Sequence, residues 1–158
     1  MLRRFWLAGG VVAADQLSKR LAEALLDHGR SVELLSWFNL TLAYNRGAAF
    51  SFLSDASGWQ RWFFVGVGLV AVVVIGVWLR RLGPRERLTA AGLSLVLGGA
   101  IGNLIDRLWL GHVVDFIDWH YGGWHWPAFN LADSAITVGV ALLLIGGLRE
   151  GKDTHGRA

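Results

Sequence analysis

Two stretches of the chain, Trp62 to Leu79 and Leu88 to Ile105, each run for 18 residues without a charged side chain. Wound as helix, a segment of that length approaches the roughly 30 Å of hydrocarbon in a bilayer. Lipid offers no hydrogen bonds to a bare backbone, so such a segment satisfies its own peptide groups by staying helical. Both stretches are predicted as transmembrane helices, and whatever else the chain forms must be arranged around them. The composition agrees: 54% of the 158 residues are hydrophobic, nine are Trp, and the mean hydropathy is +0.43, a load that soluble domains rarely carry.

Two further stretches are less clean. Phe5 to about Leu26 is interrupted by Asp15 and Lys19, and Leu131 to Leu148 holds one charge, Asp133, near its start. Taken together they give a mainly α membrane protein of four transmembrane helices, at about 5–26, 62–79, 88–106 and 131–148. The outer segments are then about 27–61 and 106–130, within a single domain of residues 1–150, followed by a polar tail, 151–158, expected to be disordered. The alternative for the start is a cleavable signal peptide, with Arg3 and Arg4 ahead of an apolar run and Val12-Ala13-Ala14 as the cleavage site. That run is short for the purpose.

The basic residues orient the spans. Four Arg fall between Arg80 and Arg87, two at the N-terminus, and Arg149, Lys152 and Arg157 near the C-terminus, which puts all three regions on the cytoplasmic side. The net charge of +3 is accounted for by this topology, without nucleic acid as a partner. With no cysteine there is no disulfide, no thiol nucleophile and no cysteine metal ligand.

The outer segments are more than loops. In "WFNLTLAYN", Phe38, Leu40, Leu42 and Tyr44 alternate with Asn39, Thr41, Ala43 and Asn45, the period of a half-buried strand, and "RGAAFSF" adds a turn and a second apolar run, Phe50 to Leu53. A small β-sheet or cradle on the outer face is expected. In "WHYGGWHWP" the rings of Trp119, Tyr121, Trp124 and Trp126 suit the headgroup layer, so this segment is expected at the interface. His112, His120 and His125 lack a tight metal-ligand spacing and are taken as interfacial histidines.

Charges within spans are costly and need partners. Asp15 and Lys19, four apart on one helix face, are expected to neutralise each other and brace the scaffold. In "GGAIGNLIDR" two neighbouring stripes, Gly99–Asn103–Arg107 and Gly102–Asp106, reach the outer end of the third span. The glycines permit close backbone approach, the amide can bond a peptide group, and the guanidinium can anchor a carbonyl or headgroup. In "FNLADS", Asn130 suits a helix N-cap and Asp133 the first turn, while Asn130, Asp133 and Thr137 also share one face. Asp133 therefore comes to the depth of "VVDFID", residues 113–118. Two carboxylates held together do not both ionise readily, so a pair can supply a base and an acid at once. Spacing alone leaves Asp115 and Asp118 equal as the partner.

The motifs DQLSK, YNRGAAFSF, GGAIGNLIDR, VVDFID and FNLAD, in this order from about residue 5 to 148, resemble those of the bacterial lipoprotein signal peptidases, or signal peptidase II. The GxGD signature of other intramembrane aspartic peptidases is absent from the sequence. The resemblance implies an aspartic endopeptidase that removes the signal peptide from diacylglyceryl-modified prolipoproteins, cutting before the lipidated cysteine. It implies the dyad Asp115 and Asp133, with substrate-binding residues Asn45, Gly99, Asn103, Arg107 and Asn130. It also implies Asp15, Lys19 and Asp106 as structural support, and neither metal nor cofactor. The expected partners are those prolipoproteins and membrane lipids, with the enzyme acting as a monomer. The expected location is the bacterial cytoplasmic (inner) membrane, with both termini cytoplasmic and the site near the outer face. Two other readings of the residues are a small transporter or channel subunit with an intramembrane acid site, and a purely structural four-helix protein with a polar lock.

Overall fold

The computed structural model describes residues 3–47, 58–84 and 86–155; side chains at 3, 4 and 149–155 are not described. The chain runs α1 (Arg3–Leu25), β1 (Val32–Leu35), β2 (Phe38–Asn45), α2 (Trp59–Arg81), α3 (Arg87–Trp109), β3 (Val113–Tyr121), β4 (Trp124–His125) and α4 (Leu131–His155). Among the described residues three helices are long and apolar enough to cross a membrane: α2, α3 and α4. Helix α4 continues to His155, beyond the expected end at 148. The expected apolar run Phe50 to Leu53 lies outside the described residues.

Helix α3 is the central post, packed against α4, α1 and α2. Its glycines make this possible by letting two different neighbours approach. A Cβ on Gly92 would meet the Gly139 carbonyl of α4 at 2.8 Å, and one on Gly98 would meet the Ala8 carbonyl of α1 at 2.8 Å. Between these contacts Ala8, Leu79, Ala90, Leu93 and Leu97 form the buried core. Helix α2 is different, for Val67, Val70, Val73, Val74 and Trp78 all lie open on its surface. A helix apolar on nearly every side and left uncovered by protein suits lipid.

The four strands form one antiparallel sheet in the order β1-β2-β3-β4. Strand β2 does not bury the face that its alternation suggests. An extra residue between Leu40 and Ala43 shifts its register against β3, and the residues it buries are Asn39 and Leu42. A bulge rotates the residues beyond it relative to those before it, so the simple in-and-out pattern fails at this point. The aromatic segment also has more structure than expected. Trp119 to Trp126 is a hairpin whose turn residues, Gly122 and Gly123, take φ of 55° and 85°. That left-handed pair matches the twist of a tight two-residue turn.

Candidate active site

Beneath the sheet lies a fully buried ionic lock. Lys19 Nζ is 2.8 Å from Asp15 Oδ2 and 2.9 Å from Asp106 Oδ2, and all three side chains are completely buried. Each carboxylate then holds a different element. Asp15 Oδ1 accepts the Ala132 N–H at 3.0 Å, one of the donors a helix leaves free at its N-terminus, and so ties α1 to the start of α4. Asp106 Oδ2 accepts the Val114 N–H at 3.2 Å, tying α3 to β3. Gln16 bridges the rest, its Nε2 donating to Asp106 Oδ1 at 2.9 Å and to the Gly102 carbonyl at 3.2 Å. Asp15, Lys19 and Asp106, the three residues expected as structural support, thus come together in one buried cluster.

The third donor of Lys19 leads outward. Lys19 Nζ donates to Asn103 Oδ1 at 2.9 Å, and Asn103 Nδ2 donates to Asp133 Oδ1 at 2.8 Å. With its oxygen held by a cation, the Asn103 amide can present only its nitrogen to the carboxylate. Asp133 is also bound by the helix start: Asn130 Oδ1 accepts the Asp133 N–H at 3.0 Å, and Asp133 Oδ2 accepts the Asn130 N–H at 3.3 Å. This reciprocal pair is a capping box.

Asn130 joins the second carboxylate to the first. Its Nδ2 donates to Asp115 Oδ1 at 2.7 Å, while Asn45 Nδ2 donates to Asp115 Oδ2 at 3.1 Å. One fully buried residue therefore touches both Asp115 and Asp133. Asp115 is 2% exposed. Burial, reinforced by the negative charge of Asp133, pushes its carboxyl up to about 7, against the pull of the Asn45 and Asn130 amides and of Lys19.

Successive side chains on a strand point to opposite faces, so Asp115 and Asp118, three apart, are turned away from each other. Their partners agree. Asp118 accepts from Asn39 Nδ2 at 3.0 Å and from His125 Nδ1 at 2.9 Å, with no bond to Asn130 or Asn45. The structure thus separates two residues that spacing left equivalent.

A cleft of about 520 Å³ opens beside these groups. Its polar lining comes from Asn45, Asn103, Arg107, Asp133, Ser134 and Thr137, and its apolar lining includes Trp119, Trp126, Phe129, Ile136 and Val138. Arg107 is steadied by the Asn103 and Gly47 carbonyls, which it meets at 3.4 and 3.3 Å, and by the face of Phe64 at 5.2 Å.

The family model described as signal peptidase (SPase) II matches residues 7–149. The chain belongs to the signal peptidase II family. Among its relatives is a lipoprotein signal peptidase of Burkholderia vietnamiensis, 57% identical over 92% of this chain and 87% of that protein. Another, from Paraburkholderia phymatum, is 53% identical over 91% of this chain and 87% of its own length. A solved bacterial membrane enzyme, determined by the in meso method at 2.3 Å, superposes with a TM-score of 0.86 at 32% identity, covering 97% of this chain and 92% of that one.

Against this family background the expected site residues sort into three groups. Asn45, Asn103, Arg107 and Asp133 reach the cleft, and Asp115 lies one hydrogen bond behind it. Asn130 is fully buried and positions the two carboxylates from behind the cleft. Gly99 is occupied by packing, since a Cβ there would collide with the Ala132 carbonyl and Ile136 of α4. Sequence reasoning passed over Gln16, although it stands inside DQLSK beside two charged residues. It also passed over Arg61, which caps the end of α3 by donating to the carbonyls of Arg107 at 2.8 Å and Leu108 at 2.7 Å. A basic residue directly before an apolar stretch gives no hint that its partners lie on another helix.

Proposed function

We propose that Asp115 and Asp133 are the catalytic dyad of this signal peptidase II, and that its substrates are diacylglyceryl-modified prolipoproteins cut before the lipidated cysteine. The observation that carries the reading is the single residue, Asn130, hydrogen-bonded to both carboxylates beside a cleft lined by both polar and apolar side chains. Family membership supplies the reaction class, removal of a signal peptide by a peptidase.

In the proposed mechanism Asp133 is the base and Asp115 the acid. Asp133 draws a proton from a water molecule as the water oxygen attacks the scissile carbonyl carbon. Asp115, protonated because burial and the charge of Asp133 raise it, gives its proton to the carbonyl oxygen. Collapse of the tetrahedral adduct breaks the C–N bond as the proton taken up by Asp133 passes to the leaving amine and one hydroxyl of the adduct returns its proton to Asp115. Helix α4 favours a negative charge at Asp133, which sits in its first turn. Asn103 and Arg107 hold the substrate backbone, and the lipid chains lie along the apolar lining.

The same reading makes α1 a fourth membrane span, whose charges are hidden by the lock with Asp106. It sets both termini on the cytoplasmic side of the bacterial inner membrane, the dyad near the outer face, the aromatic hairpin in the headgroup layer, and one chain as the working unit. The test is cleavage by the purified protein of a prolipoprotein with and without its diacylglyceryl group. Only the modified substrate is expected to be cut, and a peptide mimic of the tetrahedral intermediate is expected to block the cut. Equal cleavage of both substrates would refute the lipid requirement, and gradient-driven flux without cleavage would favour a transporter.

A further inference from the structure

On the face of the sheet turned away from Asp115 lies a second polar network that the proposed reaction does not use. Asp118 of β3, 6% exposed, accepts from Asn39 of β2 and from His125 of β4. Because Asn39 Nδ2 points to the carboxylate, its Oδ1 is left to accept from His120 Nε2 at 3.1 Å, and the rings of His120 and His125 stack at 5.0 Å. Three strands are thus tied by four side chains. The other charged group on this face is Glu33 of β1, an exposed residue paired in register with Asn39.

The network sits at the root of a short hairpin at the edge of the sheet. Strands β3 and β4 pair through two residue pairs, His120 with His125 and Tyr121 with Trp124, a short ladder at the edge of the four-stranded sheet. Tyr121 and Trp124 are exposed, so the protein core does not anchor the tip. Yet this hairpin carries a wall of the cleft. Trp119 and Trp126 both line it, joined by a 2.7 Å bond from the Trp126 N–H to the Trp119 carbonyl, and Trp119 packs edge-on against Phe129. Asp115 is held separately, by Asn45 and Asn130.

We propose that His125 is a positioning residue for substrate binding: by clasping Asp118 behind the sheet it fixes the hairpin that presents Trp119 and Trp126 to the cleft. It touches neither the dyad nor the substrate, so its removal weakens binding and leaves the chemical step intact. This inference rests on the cleft being the substrate site.

The test measures kcat and KM on the diacylglyceryl-modified prolipoprotein for the full-length wild type, His125→Ala and His125→Asn, together with amide hydrogen exchange across residues 113–129. Losing one charge-assisted hydrogen bond at a half-exposed site predicts that His125→Ala raises KM about three- to tenfold with kcat within about twofold, and speeds exchange at 119–126 but not at 113–117. His125→Asn, whose Nδ2 can stand where Nδ1 does, restores most of the KM and the slow exchange. An unchanged KM in His125→Ala, a fall confined to kcat, or an Asn variant no better than the Ala variant would each overturn the proposal. If the wild type cuts nothing, the proposed function itself fails, and the exchange data still report whether the clasp holds the hairpin.

Discussion

Lys19 is the residue on which most of the site depends, because a single ammonium serves Asp15, Asp106 and Asn103 while completely buried. Replacing it with Met would strip the ammonium from Asp15, bonded to the start of α4, and leave Asp106, bonded to β3, with Arg20 at 3.9 Å as its cation. Stripping one partner from a buried ionic group costs about 3–5 kcal/mol. Lys19→Met is therefore expected to lower the unfolding midpoint sharply in a thermal or denaturant titration, and to abolish activity in whatever fraction stays folded. At Asp115 the sign of the pH dependence follows from its raised position, about 7 against an ordinary 3.8. The fold prefers the protonated form, so this contribution to stability is complete in acid and is lost as pH rises through about 7. Asp115→Asn, which never ionises, is expected to melt above the wild type at about pH 8, with the difference shrinking towards about pH 5. A wild-type advantage that grows with pH would contradict the assignment. The same protonation should make wild-type kcat/KM decline above about 7, as expected for a required acid.

Among the elements, the contact between α3 and α4 fixes the height of Asp133. A methyl group on Gly99 would run into the Ala132 carbonyl and push the start of α4, with Asp133, away from Asn103. Gly99→Ala is expected to cost about 1–3 kcal/mol by overpacking, and to reduce activity by more than the loss of folded protein explains. Gly76→Ala is the control, since a Cβ at that point of α2 meets nothing within 4 Å, and it is expected to be tolerated. The helices were legible because long charge-free runs have few alternatives once a chain is this apolar. Strand β2 was legible as an element, but not in its facing, because the bulge after Leu40 depends on pairing with β3. The hairpin at Gly122 and Gly123 could have been found from its Gly-Gly turn between aromatic runs, a signal outweighed by the abundance of Trp. Asp115 could not be separated from Asp118 on residue types alone. Only when Val113–Tyr121 is seen to be a strand, with Asn45 and Asn130 on one side and Asn39 and His125 on the other, do the two acids part.

For the whole molecule, the site lies where α1, α3, β3 and α4 are tied together by side-chain hydrogen bonds and ion pairs, several of them between elements distant in sequence. Asp15 reaches Ala132, Lys19 reaches Asn103, and Asn130 reaches back to Asp115. No element carries the chemistry alone, which explains why the family motifs are spread along nearly the full chain. The arrangement also gives the cleft two characters, with Asn45, Asn103, Arg107 and Asp133 as well as Trp119, Trp126, Ile136 and Val138 in its lining. That fits a substrate that is part peptide and part lipid. The most direct measurement of the central claim is cleavage of a diacylglyceryl-modified prolipoprotein by purified wild type, Asp115→Asn, Asp133→Asn and Asp118→Asn, each shown to be folded. The account predicts a loss of about a thousandfold or more in the first two variants, the scale expected when a positioned acid or base is removed, and retained cleavage in Asp118→Asn. Near-wild-type cleavage by either Asp115→Asn or Asp133→Asn would contradict the dyad and move the search to Asp118, on the other face of β3.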